Sequence, residues 1–126
     1  MAARPEEWLK QADYDIDTAE FMFSGGRYFY AVFMCHQSIE KAIKGLYQKK
    51  LGEMPPKVHN LVYLLNRISV KPPEDIGRVI VKLNEANIAT RYPEDIDKLQ
   101  KDYTQSVAKD IIAKSKEVLQ WIKKLL

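Results

Sequence analysis

In every long segment of this chain apolar residues return at three- and four-residue steps, and no segment alternates with a period of two. The first spacing gathers apolar groups on one side of an α-helix; a half-buried strand needs the second. Trp8, Ala12, Ile16, Ala19 and Phe23 trace one stripe. Ala31, Cys35, Ser38, Ile39, Ala42 and Leu46 trace another, whose small members let a neighbouring helix come close. Leu61, Leu64, Leu65 and Ile68 mark a shorter third, and Val107, Ile111, Val118, Ile122 and Leu125 the last. The expected fold is all-α: an up-and-down bundle of about five helices with two long ones at its centre.

Breakers place the boundaries. Pro5 suits a first helical turn, and Glu6 and Glu7 oppose the positive end of the dipole. Gly25-Gly26 closes the first helix, and the second runs from about Arg27 to Leu51, stopping at Gly52. The prolines of EMPPKV make a stiff loop before HNLVYLLNRI, and SVKPPED separates that short helix from the next. Pro73-Glu74-Asp75 starts the fourth helix, which Pro93 ends by about Arg91. An irregular stretch is expected there before the last helix, SVAKDIIAKSKEVLQWIKKLL. No repeat, low-complexity tract or linker divides residues 1–126, so one domain is expected.

Composition excludes several classes. A hydrophobic share of 46% against 29% charged residues is that of a globular chain, not a disordered one. The formal net charge of +3 is too small to demand nucleic acid as a partner, although a local patch can still serve. A lone Cys35 forms no internal disulfide and suits a reducing compartment. The start, MAARPEEWLKQADYD, lacks the apolar run of a signal peptide, and no run of about 20 apolar residues suggests a membrane span. A cytoplasmic location without membrane contact is the expectation. Gly25-Gly26 lacks the spacing of a phosphate-gripping loop, and Cys35 lies on the small-residue stripe where thiols are inert.

The second helix also carries a polar cluster. His36 and Glu40 are four residues apart and share a face; Gln37, Lys41 and Lys44 lie on or beside it. A neutral imidazole can act as a base near pH 7, and two ammonium groups can hold phosphate oxygens. Arg91, late in the fourth helix, adds a fork suited to two-pronged phosphate binding. If the fourth helix packs on the second, Arg91 and the His36–Glu40 face line one cleft. Each residue also has a plain reading. Glu40 and Lys44 make a four-apart ion pair, and His36 bonds a neighbouring carbonyl. Lys41 is solvated, Arg91 caps its helix end, and His59 only opens the third helix. A metal trio of His36, Glu40 and His59 lacks recognisable ligand spacing, so no metal or other cofactor is expected. The aromatic run Tyr28-Phe29-Tyr30 with Phe33 spans more of a helix than one buried stripe holds. It favours a covering partner, a homodimer first.

The order of these features resembles the HEPN family (higher eukaryotes and prokaryotes nucleotide-binding domains). The resemblance rests on RYFYAVFMCHQSIEKAIKGLYQ, on the histidine leading VHNLVYLL, and on ANIATRYP at the end of the fourth helix. It spans nearly the whole chain. It implies a small helical bundle, often dimeric, paired with a minimal nucleotidyltransferase in a toxin–antitoxin-like or nucleotide-handling module. On that basis Arg91, Lys41, Lys44, His36 and Gln37 are the expected nucleotide- or phosphate-binding residues, with Arg91, His36 and Glu40 as candidates for any catalysis. Some HEPN branches are ribonucleases marked by an Arg followed four to six residues later by a His. Here YPEDIDKLQK follows Arg91 and holds no histidine. The expectation is therefore a nucleotide-, phosphate- or partner-binding module rather than an enzyme. The alternative is a metal-independent ribonuclease, with RNA as substrate, that uses Arg91 and His36.

Overall fold

A computed structural model describes residues 4–91 and 95–126, with the side chain of Arg91 outside the described residues. Among the described residues six helices follow one another: α1 (Pro5–Ser24), α2 (Tyr28–Leu51), α3 (Leu61–Arg67), α4 (Glu74–Arg91), α5 (Ile96–Asp102) and α6 (Gln105–Leu125). No strand occurs among the described residues. The long helices α1 and α2 form the most extensive pairing, and α6, α4 and α3 close around the remaining sides of α2.

The helix ends follow from the local sequence. α1 opens on Pro5 with Glu6 and Glu7 in its first turn. It closes where Gly26 takes φ 77°, so that its N–H reaches the Phe23 carbonyl and Arg27 N–H reaches that of Met22. Gly52, at φ 67°, ends α2 in the same left-handed region. The third such closure is made without glycine: Ser69 stands at φ 55° after α3. Asn60 caps the start of α3 by accepting from Tyr63 N–H, and Thr104 does so for α6 from Val107 N–H.

Packing bears out most of the stripes. Ala12, Ile16 and Ala19 are buried in α1, and so is the whole expected row of α2, from Ala31 to Leu46. Leu61, Leu64, Leu65 and Ile68 are also buried, as are Ile111, Val118 and Ile122. Trp8 and Phe23, at the two ends of the α1 row, are half-buried. Close approach of α1 to α2 is permitted at Gly45, where a Cβ would stand 3.1 Å from Trp8 Cβ and 3.2 Å from the Pro5 carbonyl. Trp8 Nε1 donates to Gln48 Oε1, and Ser38 Oγ donates to the Ala12 carbonyl, so the contact is tied by hydrogen bonds at both levels.

Two expectations are corrected. The stretch after Arg91 is not wholly irregular, because residues 96–102 form α5, capped by Asp95 Oδ1 accepting from Asp97 N–H. Leu125 does not face the core; it is 45% exposed in the last turn of α6, beside a surface hollow. A further finding matters most for function. α2 has no solvated polar face along its middle, since His36, Glu40 and Lys44 are buried together with Val32, Ile43 and Tyr47. A helix covered on all sides must satisfy its polar groups inside the protein.

Candidate functional site

Glu40 stands on the side of α2 that meets the entry to α3. The α-helical repeat brings His36 one turn before it and Lys44 one turn after it, so three titratable side chains are stacked on one buried line. Lys44 Nζ lies 3.0 Å from Glu40 Oε2, and His36 Nδ1 lies 3.8 Å from Oε1. The loop before α3 supplies the fourth member: His59 Nδ1 is 2.9 Å from Glu40 Oε1. His59 also turns its carbonyl inward, where His36 Nε2 meets it at 3.0 Å.

Acceptor chemistry fixes the tautomers. A carbonyl oxygen only accepts, so His36 carries hydrogen on Nε2; a carboxylate only accepts, so His59 carries hydrogen on Nδ1. The two rings therefore have different roles. The His36 side chain is fully buried and serves as a strut between α2 and the α3 entry, while that of His59 is 48% exposed. With Nδ1 held by the carboxylate, Nε2 is the ring atom of His59 left to act outward, the arrangement by which a carboxylate orients an imidazole base.

Beyond His59 lies a hollow of about 160 Å³ lined by Asn60, Asn84, Asn87 and Ile88. Asn84 ties its wall together: Nδ2 donates to Asn60 Oδ1 at 3.0 Å, and Oδ1 accepts Leu61 N–H at 2.8 Å. Asn87 is different. The residue is 7% exposed, and its Oδ1 is buried without a hydrogen-bond partner among the described residues. A buried acceptor without a partner costs about 1–3 kcal/mol. α4 continues one turn past Asn87 and ends at Arg91.

The residues singled out by sequence are thus divided. His36, Glu40 and Lys44 come together, and His59, taken as a helix opener, joins them at the hollow. Lys41 points to α1, where its Nζ pairs with the buried Asp15 Oδ2 at 2.7 Å. Gln37 does not line the hollow. For Arg91 only its place at the end of α4 is fixed, because its side chain, like the Tyr92-Pro93 that follows, lies outside the described residues. Two of the plain readings hold: Glu40 and Lys44 are a four-apart pair, and His36 bonds a carbonyl. Sequence reasoning missed Asn60, Asn84 and Asn87. An Asn directly before a helix was a capping signal for Asn60; the three-residue spacing of Asn84 and Asn87 put them on one face of α4. Among the described residues no group of three His, Cys, Asp or Glu side chains is placed to hold a metal ion.

Cys35 sits apart from this chemistry. Burial pushes its thiol up from 9.0 to about 12, and a hydrogen bond with Ser115 only partly opposes that. No helix is long and apolar enough to cross a membrane among the described residues.

An all-helical bundle whose central helix carries a buried Glu–Lys–His line opening on a polar hollow defines the class to which the comparisons then give a family. The HEPN domain profile matches residues 5–125, and the chain belongs to the HEPN family. A crystal structure of an archaeal HEPN homologue, ST0689, is 30% identical over 97% of each chain, with a TM-score of 0.78. That of TT1696 from Thermus thermophilus is 28% identical over 98% of each chain, with a TM-score of 0.84. The comparison with curated proteins finds no match.

Proposed function

We propose that this HEPN protein is a recognition module that takes the phosphate or base of a nucleotide at the hollow beside His59. The observation that carries the reading is the half-exposed imidazole of His59, its Nδ1 held by Glu40, in a hollow that Asn60, Asn84 and Asn87 also line. Nε2 of His59 accepts when neutral or donates when protonated, and Asn87 lines the same hollow. At about 160 Å³ the hollow has room for one such group and not for a whole nucleotide, so the rest of the ligand lies along the surface. Arg91, one turn beyond Asn87, is the residue expected to meet a phosphate. Lys44 acts indirectly, by sharing Glu40 with His59. Titration of the protein with AMP, ATP and GTP tests this. Saturable binding that His59→Ala and Asn87→Ala weaken about tenfold is expected, the loss of one good hydrogen bond. No binding at millimolar nucleotide sinks it.

The module works with other chains, a homodimer first and a minimal nucleotidyltransferase in a toxin–antitoxin-like pair. Support for the dimer comes from Tyr30 and Ile96, exposed by 51% and 59% beside a groove that Phe29 and Tyr103 also line. Light scattering that returns only a monomer mass at high concentration removes the dimer. Failure of a co-expressed nucleotidyltransferase to co-purify removes the second partner.

A second reading, metal-independent RNA cleavage, is favoured by the Glu40–His59 pair alone. It changes the base: buried His36 is spent on a backbone carbonyl, so His59 replaces it as the base, with Arg91 kept as the second candidate. RNA cleavage abolished by both His59→Ala and Arg91→Ala makes the protein a ribonuclease.

A further inference from the structure

A second surface feature shares no residue with the His59 hollow. Where the ends of α2 and α6 meet the loop between α3 and α4, Trp121, Leu125, Leu46, Val70, Pro72 and Pro73 line a hollow of about 640 Å³. That volume is in the range of sites that hold a small organic molecule. Its floor is apolar, and no acidic side chain lines it. Lys49, Lys50 and Lys71 stand around it. Lys49 Nζ donates to the Leu126 carbonyl, whereas Lys50 and Lys71 are exposed and enter no ion pair among the described residues. The helix dipole accounts for Lys50 in the last turn of α2. It does not account for Lys71, which lies in the loop. Trp121 is half-buried, and its indole N–H, unlike that of Trp8, has no protein acceptor among the described residues.

We infer that this hollow binds a small amphipathic anion: a carboxylate or phosphate monoester on an acyl- or aryl-sized apolar body. The three features ask for one ligand. Covering Trp121, Leu125 and Pro72 releases water from apolar surface. Two ammonium groups without a counter-charge select an oxyanion at the rim. The indole N–H supplies one further donor, which fixes the head group relative to the ring. A neutral apolar molecule leaves both lysines unanswered, and a bare inorganic anion leaves the floor wet. The proposal does not depend on the nucleotide reading of the His59 hollow.

The chain has two tryptophans, so its NMR spectrum has two indole N–H signals, and Trp121→Phe assigns them. The wild-type protein is titrated with octanoate, an alkyl carboxylate, and with phenyl phosphate, an aryl phosphate; inorganic phosphate and 1-octanol are the controls. A saturable shift of the Trp121 signal by at least one of the two amphipathic probes is expected, and the tighter probe tells which body the ligand carries. Lys50→Gln with Lys71→Gln, both at exposed positions, is expected to weaken that binding about tenfold or more, as two charge-assisted contacts are lost. The inference is overturned if neither probe gives a saturable shift. It is overturned equally if 1-octanol or inorganic phosphate binds as tightly as the probes, or if the double variant binds as well as wild type. The His59→Ala protein is run alongside: unchanged binding there keeps the two hollows separate, and equal loss overturns the inference by assigning the signal to the other site.

Discussion

Glu40 receives the Nδ1 hydrogen of His59 at 2.9 Å, and with the bond from His36 Nε2 to the His59 carbonyl this joins the central helix to the loop that opens α3. The same carboxylate holds Lys44 at 3.0 Å through its other oxygen. Both charges of that pair are nearly out of water, at 7% and 9% side-chain exposure. Such a pair offers little net stability over well-packed apolar residues, but each half is costly without the other.

Glu40→Gln is therefore expected to destabilise the protein by about 3 kcal/mol, because it strands the Lys44 ammonium inside the bundle. Adding Lys44→Met to Glu40→Gln is expected to return most of that loss. Urea denaturation of the two single variants and the double one measures the coupling. Additive losses would show that Lys44 escapes to water and that the pair is not a buried unit.

His36 and His59 are expected to part company under mutation. His59→Ala removes one hydrogen bond from a half-exposed ring and keeps the backbone carbonyl that His36 uses. Its stability cost is about 1–2 kcal/mol, and its main effect falls on ligand binding. His36→Ala empties a fully buried site and orphans that carbonyl, for about 3 kcal/mol or more. Melting curves set beside nucleotide titrations separate the two; equal loss of stability in both variants would deny His59 its outward role.

Why was one histidine legible in the sequence and the other not? His36 and Glu40 lie on one helix, and a four-residue spacing is all that their contact requires. His59 reaches Glu40 only because the proline loop brings α3 back against α2, a closure no periodicity encodes. Lys41 shows the reverse error. One residue from Glu40 is about a quarter-turn around the helix, enough to give it to Asp15 on α1 instead. The bundle itself was readable, since buried stripes repeat at helical steps whatever they pack against. α5 was not, because IDKLQKD buries only Leu99 and so leaves no stripe to find. The Asp95 cap was its only signal.

Cys35 makes stability fall at alkaline pH. Its thiol is held neutral by burial, with a folded value of about 12 against 9.0 in the open chain. Between those values the unfolded chain has lost a proton that the folded one keeps, so ΔG of unfolding declines as pH rises. Stability from this group is complete below about pH 9 and goes progressively towards pH 12. Tyr103, raised chiefly by burial, adds loss in the same direction. Cys35→Ala is expected to flatten the decline in melting temperature between about pH 9 and 10.5, the first part of that window. An unchanged slope would assign the alkaline loss to other groups. Alkylating reagents should meanwhile leave Cys35 untouched in the native protein at pH 8, because no thiolate forms there.

Ser69 offers a gain in stability. It closes α3 at φ 55°, its N–H on the Asn66 carbonyl at 3.1 Å and the next N–H, of Val70, on that of Leu65 at 3.1 Å. Gly26 does the same service for α1 at φ 77°, where no Cβ meets the following carbonyl. A side chain in that region costs about 1–2 kcal/mol, and glycine gives part of this back through the greater freedom of the unfolded chain. Ser69→Gly is thus expected to stabilise by about 0.5–1 kcal/mol, a rise of a few degrees in melting temperature. Ser69→Val, with its branched Cβ in the same region, is expected to lower it by more than the glycine raises it. Two melting curves decide the matter. A glycine variant that melts below wild type would mean that the serine, in place, stabilises the α3 closure by more than its backbone strain costs.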